Sequence, residues 1–230
     1  MKRFRLHPWH FWADETGLTC LLIFSLGYFI VLNSLGEFWF GRLAARLFFS
    51  LVIVAGVLTT FKQRWLSFLV IVLATASLAL NWAEEFRPAA CLAVLTNSIT
   101  LIYLGLLLAV VIAQVFRDGP VTAHRIRGAI VIYLLLGVMW AFAYQVVALS
   151  IPQAIRLPEG LTAGDPDALR RELTYFSVVT LTTTGYGDIT AVHPVARTLV
   201  MLEALVGQLY PAIVLAWLVS LAIMHQKAKP

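Results

Sequence analysis

The sequence predicts an all-α membrane protein with six transmembrane helices and a shorter re-entrant helix between the fifth and the sixth. The chain of 230 residues is 60% hydrophobic and 13% charged, with a mean hydropathy of +0.86, whereas soluble domains are usually about a quarter charged. Six apolar runs approach the roughly 20 residues that a helix needs to cross a bilayer. Between the last two runs lies a hydroxyl- and glycine-rich stretch that favours neither helix nor strand.

The predicted segments follow the apolar runs and the charged or turn-forming residues between them. We expect residues 1–16, which are basic and aromatic, to form a cytoplasmic interfacial segment. A four-helix transmembrane domain is predicted at 17–116, with spans near 17–35, 43–61, 65–82 and 89–116. There follow a basic cytoplasmic linker at 117–127, which carries His124, Arg125 and Arg127, a second membrane domain at 128–225, and a short tail at 226–230.

The distribution of charge predicts how the chain is oriented. With six spans, both termini lie on one side of the membrane. The segments on that side are rich in lysine and arginine, whereas Glu37, Glu84 and Glu85 fall on the other side. By the positive-inside rule we expect a multi-pass protein of the cell membrane with both termini in the cytoplasm. The stretch at 182–188 then lies toward the extracellular side.

The stretch Thr182-Thr183-Thr184-Gly185-Tyr186-Gly187-Asp188 carries the functional interpretation. Non-helical backbone at membrane depth is tolerated only where protein buries it or where it lines a water-filled path. Gly185 and Gly187 alternate with residues that carry side chains, and glycine adopts a positive φ at little cost. Alternating left-handed and right-handed dihedrals would turn successive carbonyl oxygens to one side. Such a row of oxygens, with the Thr183 hydroxyl at its inner end, can replace the water shell of a cation.

This stretch resembles the selectivity filter of potassium channels, Thr-Val-Gly-Tyr-Gly, with Thr184 in the valine position. Upstream, residues 175–181 resemble the pore helix of that family, and the resemblance covers about 128–225, with an outer helix, a pore helix, a filter and an inner helix. It implies a tetrameric channel in which K⁺ is the permeant ion. The filter residues would be Thr183, Thr184, Gly185, Tyr186 and Gly187, with dehydrated K⁺ bound at the first four. We expect no cofactor apart from K⁺ as the permeant ion, which would be the metal ion bound at those four residues, and no enzymatic activity.

Residues on either side of the stretch are predicted to support it. Asp165-Pro166-Asp167 is typical of a helix start, with a side-chain cap, a proline in the first turn and acidic charge at the positive end of the helix dipole. That helix would end near Thr182, with its negative end toward a permeating cation. By resemblance, Tyr175 and Asp188 would form a hydrogen bond that braces the filter. Val179 occupies a position where some relatives carry a carboxylate.

The last span carries three further candidates. Pro211 has no N–H for the Gly207 carbonyl and crowds it, so we expect a bend there, and the resemblance implies that this bend is a gating hinge. A static kink is the alternative. Glu203 is an acidic residue deep inside a span, where ionisable groups are costly. We expect it to brace the pore helix through a hydroxyl such as Thr180 or Thr182, and Glu203 and His193 are candidate pH sensors.

The layout resembles a voltage-gated channel without its sensor. A voltage sensor needs several arginines along one span; residues 89–116 contain none, and Arg42 and Arg46 lie at the start of span two instead. One filter copy per chain predicts a homotetramer. Partners are therefore other copies, lipid and K⁺, with no nucleic acid and no soluble ligand-binding domain. The alternatives are a weakly selective cation channel, because of Thr184, and a non-conducting scaffold or regulatory subunit.

Overall fold

The computed structural model describes residues 8–59, 64–86, 89–116, 122–158 and 165–227. Within them, helices and short strands follow in the order α1 (Pro8–Leu35), α2 (Trp39–Leu58), α3 (Arg64–Phe86), α4 (Ala90–Val115), α5 (Ala123–Ser150), β1 (Ile155–Arg156), α6 (Pro166–Leu181), β2 (Thr190–Ala191) and α7 (Pro194–Lys227). All of these helices except α6 are long and apolar enough to cross a membrane, which makes six in the described part of the chain. The predicted number of spans is confirmed for those residues.

Several helix ends lie outside the predicted spans. α1 begins at Pro8, so residues 8–16, predicted as an interfacial segment, are continuous with the first span; residues 1–7 lie outside the described residues. α2 covers Trp39–Leu58 rather than 43–61. α5 begins at Ala123, so the linker predicted at 117–127 is helical from that residue onward, and 117–121 lie outside the described residues. Hydropathy marks the part of a helix that lipid covers, and a helix can continue past that depth on charged residues.

The seven described helices share one main hydrophobic core. Its fully buried members come from the first four helices and from α5 alike, among them Leu21, Ile53, Leu107 and Leu135, and Val214 of α7 joins them. α5 packs against α1, α4, α6 and α7. The predicted four-span domain and the second membrane domain therefore pack directly against each other within one chain.

Polar side chains join neighbouring spans inside this core. The hydroxyls of Ser77 in α3 and Thr100 in α4 lie 2.7 Å apart. The Tyr103 hydroxyl in α4 donates to the Ile53 carbonyl in α2 at 2.8 Å, and this hydrogen bond is also buried. Such bonds pair groups that lipid cannot satisfy, and they fix how α2, α3 and α4 are rotated against one another.

A two-residue antiparallel ladder fastens the chain between α6 and α7. In it, Ile155 lies opposite Ala191 and Arg156 lies opposite Thr190. Just beyond, the amides of Val192 and His193 both donate to the Ala154 carbonyl, at 2.9 and 3.1 Å. A second buried cluster packs around the ladder and includes Tyr144, Leu169, Leu173 and Ile189. The residues that follow position 188 are thereby attached to the loop after α5, a contact that the sequence analysis did not predict.

Candidate functional site

The helix α6 begins where the sequence predicts. Asp165 is its N-cap, and one carboxylate oxygen of Asp165 accepts from the amides of Asp167 at 3.2 Å and Ala168 at 3.1 Å. Pro166 occupies the first helical turn, where a missing N–H removes no hydrogen bond. The helix has 16 residues and ends at Leu181, with Thr182 as its C-cap. Its C-terminal end therefore leads directly into residues 182–188.

The N-terminal end of α6 is held by ion pairs that the sequence analysis missed. The Arg46 guanidinium in α2 contacts both Asp167 carboxylate oxygens, at 2.9 and 3.0 Å, and also pairs with Glu85 at the end of α3. One turn further along α6, Arg170 lies 3.7 Å from the Glu84 carboxylate. In the sequence, Arg46 is distinguished only as a charge at the wrong place for a voltage sensor. Nothing in the local pattern indicated that it would contact a residue 121 positions away.

The backbone from Thr183 to Gly187 alternates in handedness. Thr183 has φ of 57°, Gly185 has 58° and Gly187 has 81°, whereas Thr184 and Tyr186 between them are not in the left-handed region. The amides of Thr183, Thr184 and Gly185 donate back to the Val179 and Thr180 carbonyls of α6. In the described part of the chain, no carbonyl from Thr182 to Gly187 accepts a hydrogen bond. The first three amides of the segment are thus bonded to α6, and its carbonyls form a row of acceptors.

Thr183 adopts a conformation that the sequence analysis did not predict. A β-branched residue at positive φ is a genuine outlier, and such strain costs on the order of 1–3 kcal/mol and concentrates at functional sites. The amide of Thr183 donates to the Thr180 carbonyl at 2.9 Å, which helps hold the strained residue. Gly185 and Gly187 had indicated the alternation, and Thr183 extends it by one left-handed position, two residues closer to α6.

Tyr175 of α6 and Asp188 are the pair that the resemblance implies as a brace, and the brace stays a prediction. A hydrogen bond between the Tyr175 side chain and Asp188 is the main cause that raises the pKa of Tyr175 to about 12. The Asp188 carboxylate also accepts from the Ile189 amide at 3.1 Å. A bond to Tyr175 would connect the middle of α6, through this carboxylate, to the residues that leave the segment on their way to β2.

Glu203 is completely buried and its partners differ from those expected. One carboxyl oxygen lies 2.5 Å from the Ser177 hydroxyl of α6, and the other lies 2.5 Å from the Tyr144 hydroxyl of α5. Neither Thr180 nor Thr182 forms a hydrogen bond with Glu203 among the described residues. The prediction that Glu203 binds a hydroxyl of α6 is correct for the helix, but the residue is Ser177 and not Thr180 or Thr182. Which hydroxyl of α6 faces Glu203 depends on how α6 and α7 are rotated against each other.

Gly207 lies against the last turn of α6. A Cβ added there would fall 1.9 Å from the Leu181 carbonyl oxygen, and that same carbonyl accepts from the Tyr133 hydroxyl at 3.1 Å. Glycine is thus needed for the close approach of the two helices. Pro211 lies one turn on, within the continuous helix α7. The hinge remains a prediction, and Gly207 has a packing role that the sequence analysis did not identify.

His193 and Glu203 are not brought together. His193 lies just before α7, where its ring nitrogen Nδ1 accepts from the Val195 amide at 3.3 Å. The contact is local, because Val195 follows His193 by two residues at the start of α7. The roles of His193 and Glu203 as pH sensors stay predictions.

A single chain leaves one face of α7 uncovered. The side chains on this face are apolar and exposed, and they include Met201, Leu202, Leu205, Leu209, Ile213, Leu215 and Val219. Residues Thr182 to Asp188 are exposed beside them. Within one chain, the row of free carbonyls therefore has no opposite wall.

One family comparison matches this part of the chain. Residues 171–223 match a family model described as an ion channel. The match covers about a quarter of the chain, from the middle of α6 through most of α7, and includes the whole 182–188 segment. No curated protein and no solved structure matches the chain. With the six apolar helices, the match supports a membrane protein with an ion-channel function and favours a channel over an enzyme.

Proposed function

We propose that this protein is a potassium-selective channel that conducts K⁺ passively across the cell membrane as a homotetramer. The observation that carries the proposal is the backbone of residues 183–187, where alternating handedness accompanies carbonyls with no hydrogen-bond partner in the described residues. Oxygen atoms in such a row are suited to a dehydrated monovalent cation. K⁺ would bind at Thr183, Thr184, Gly185 and Tyr186, with Gly187 completing the filter.

The need for four copies follows from the exposure of this segment. One strand of carbonyls cannot surround an ion, and a cyclic tetramer would place four strands around one axis. The exposed apolar face of α7 would then be covered by neighbouring copies or would line the path below the filter. We place both termini in the cytoplasm and the filter toward the outside, in accordance with the positive-inside rule.

The first four helices are proposed to support the pore without sensing voltage. α4 carries no lysine or arginine between Ala90 and Val115, so a transmembrane field has no row of charges to move. Instead, Arg46 of α2 holds the start of α6 through Asp167. These contacts support a role as a scaffold that positions α6.

The experiment that tests this function is ion flux into liposomes that contain the purified protein. K⁺ and then Na⁺ would be supplied as the main cation, at several membrane potentials. We expect K⁺ flux to exceed Na⁺ flux by at least about tenfold, a difference of about 1.4 kcal/mol, with little dependence on voltage. Comparable flux of both ions would favour the weakly selective cation channel, and absence of flux from correctly assembled tetramers would favour a scaffold or regulatory subunit.

A matched pair of glycine variants ties the flux to the segment. A Cβ added at Gly185 or at Gly105 of α4 would meet no atom within 4 Å, but only Gly185 has a positive φ, of 58°. Gly185→Ala should therefore lower K⁺ flux or selectivity strongly, whereas Gly105→Ala should leave both unchanged. Equal behaviour of the two variants would contradict the proposed filter.

A further inference from the structure

The buried carboxyl group of Glu203 has a hydrogen-bond arrangement that defines its protonation state. Ser177 Oγ lies 2.8 Å from the Gly137 carbonyl oxygen of α5 and 2.5 Å from one Glu203 carboxyl oxygen. Tyr144 lies 2.5 Å from the other carboxyl oxygen. Three short oxygen–oxygen contacts therefore need three hydrogens. Each hydroxyl carries one, and a peptide carbonyl carries none.

The count of hydrogens selects the neutral acid. If Glu203 were ionised, both hydroxyls would have to donate to it, and the contact between Ser177 and the Gly137 carbonyl would bring two acceptors together. If Glu203 is protonated, its O–H donates to Ser177, Ser177 donates to Gly137, and Tyr144 donates to the second carboxyl oxygen. All three contacts are then hydrogen bonds. A buried polar group with every bond made is far less costly than one left unpaired.

In the described part of the chain, the Glu203 carboxyl group has no ion-pair partner that would stabilise its ionised form. Among the described residues, Glu203 forms no salt bridge with lysine, arginine or histidine. The titratable groups that face it are the phenols of Tyr144 and Tyr133, both from α5, and from α6 it meets the Ser177 hydroxyl. An isolated charge in such an interior carries a large desolvation cost.

We propose that Glu203 is held as an uncharged carboxylic acid whose proton, donated to Ser177, positions the C-terminal half of α6 against α5 and α7. The inference rests on the proposed function, because it makes Glu203 a positioning residue for the filter. Glu203 contacts α6 at Ser177, and Gly207 contacts it at Leu181. Ser177 and Leu181 are four residues apart in α6, and Glu203 and Gly207 are four residues apart in α7. Successive turns of α7 therefore meet successive turns of α6 just before the strained Thr183.

Glutamine is the substitution that separates the acid from the carboxylate. Glu203→Gln keeps the shape, provides an N–H donor for Ser177 and an oxygen acceptor for Tyr144, and cannot ionise. Glu203→Leu keeps the volume and removes all the bonds. We expect Glu203→Gln to retain the ratio of K⁺ to Na⁺ flux within about twofold and Glu203→Leu to lower that ratio by about tenfold. Loss of selectivity in both variants would show that the charge is needed, and retention in both would show that Glu203 does not position α6.

An infrared measurement tests the protonation state independently of conduction. The difference spectrum between the full-length protein and Glu203→Gln at neutral pH should contain the C=O stretching band of a protonated carboxylic acid. A carboxylate band in its place would overturn the inference even if the protein conducts K⁺, and the acid band would support it even if no flux is found. Should Glu203→Leu fail to assemble, Ser177→Ala serves in its place. It should shift the acid band, and an unshifted band would contradict the bond to Ser177.

Discussion

The two ends of α6 are held by different chemistry. At the N-terminal end, carboxylates and guanidinium groups pair across helices: Arg46 with Asp167 and Glu85, and Arg170 with Glu84. At the C-terminal end, the contacts are made by hydroxyls, a backbone carbonyl and a carboxyl group without a positively charged partner. The first end starts from an exposed residue, Asp165, and the second lies beside fully buried side chains such as Tyr144.

The difference follows from whether a charge that is removed from water has a partner of opposite sign. At the N-terminal end each charge has a partner of opposite sign, although the Arg170 and Glu84 side chains are only 7% and 5% exposed. The negative side chains also stabilise the positive end of the helix dipole. In the apolar interior an ion pair has to overcome the desolvation of both groups. Neutral hydrogen bonds avoid that cost, and they leave the negative end of the dipole free to act on a cation in the adjacent segment.

The largest effect is expected from an added side chain that crowds the C-terminal end of α6. Gly207→Ala places a Cβ 1.9 Å from the Leu181 carbonyl oxygen, so backbone must move. We expect destabilisation of about 2 kcal/mol or more and loss of K⁺ flux, measured by thermal unfolding in detergent and by liposome assay. A hinge role alone would change flux and leave stability intact.

A second glycine near the same residue provides the control for that variant. A Cβ at Gly137 would make ordinary contacts, 3.6 Å from Phe29 and 3.7 Å from the Leu181 side chain. Gly137→Ala should therefore be tolerated, with stability changed by less than about 1 kcal/mol. If both alanine variants unfold alike, the close approach at Gly207 is not what limits this interface.

The next largest effect is expected from removing the ion pairs at the N-terminal end of α6. Arg46→Ala leaves Asp167 and Glu85 without their shared positive partner, and the Arg46 side chain is only 13% exposed. We expect a loss of about 2 kcal/mol, and a double-mutant cycle with Asp167→Asn should give a coupling free energy of about 1 kcal/mol. Arg42→Ala is the control, since Arg42 is exposed and forms no salt bridge in the described residues. A coupling free energy near zero would mean that the pair does not hold α6.

A smaller effect is expected from removing the cap of α6. Asp165→Ala removes the acceptor for the amides of Asp167 and Ala168, and it should cost about 1 kcal/mol, measured as a lowered unfolding temperature. Asp165→Ser keeps a capping oxygen and should recover most of the loss. If serine were no better than alanine, the negative charge rather than the hydrogen bonds would be the stabilising feature.

The smallest effect at neutral pH concerns the brace between Tyr175 and Asp188. Because the hydrogen bond with Asp188 raises the pKa of Tyr175 to about 12, above its usual value of 10, its contribution to stability is fully present below pH 10. That contribution is lost as the pH rises from 10 through 12. Asp188→Asn should lower the pKa of Tyr175, measured as the difference in phenol absorbance between each protein and its Tyr175→Phe variant. An unchanged pKa would exclude the bond.

A flux measurement on Tyr175→Phe extends that test to function. The variant keeps the ring and removes only the hydroxyl that interacts with Asp188. We expect K⁺ flux to become less selective or less stable in time, because the residues after Gly187 lose one attachment to α6. Unchanged currents would show that the β1–β2 ladder holds this side of the segment by itself.

The sequence by itself determined the features whose causes are local. Six apolar runs predicted six helices, Asp165-Pro166-Asp167 predicted the start of α6, and Gly185 and Gly187 predicted two positions of positive φ. In each case the residues that cause the feature are adjacent in the chain. Hydrophobicity, capping and glycine conformation act within a few residues, so a linear pattern contains the information.

Only the tertiary structure decided which distant groups meet. Ser177 and Tyr144 rather than Thr180 or Thr182 bind Glu203, Arg46 reaches Asp167, and Gly207 lies on the Leu181 carbonyl. Each contact depends on the rotation and depth of two or three helices at once. A shift of one residue along a helix turns a side chain by about 100°, so the same sequence pattern is compatible with several partners until packing selects one.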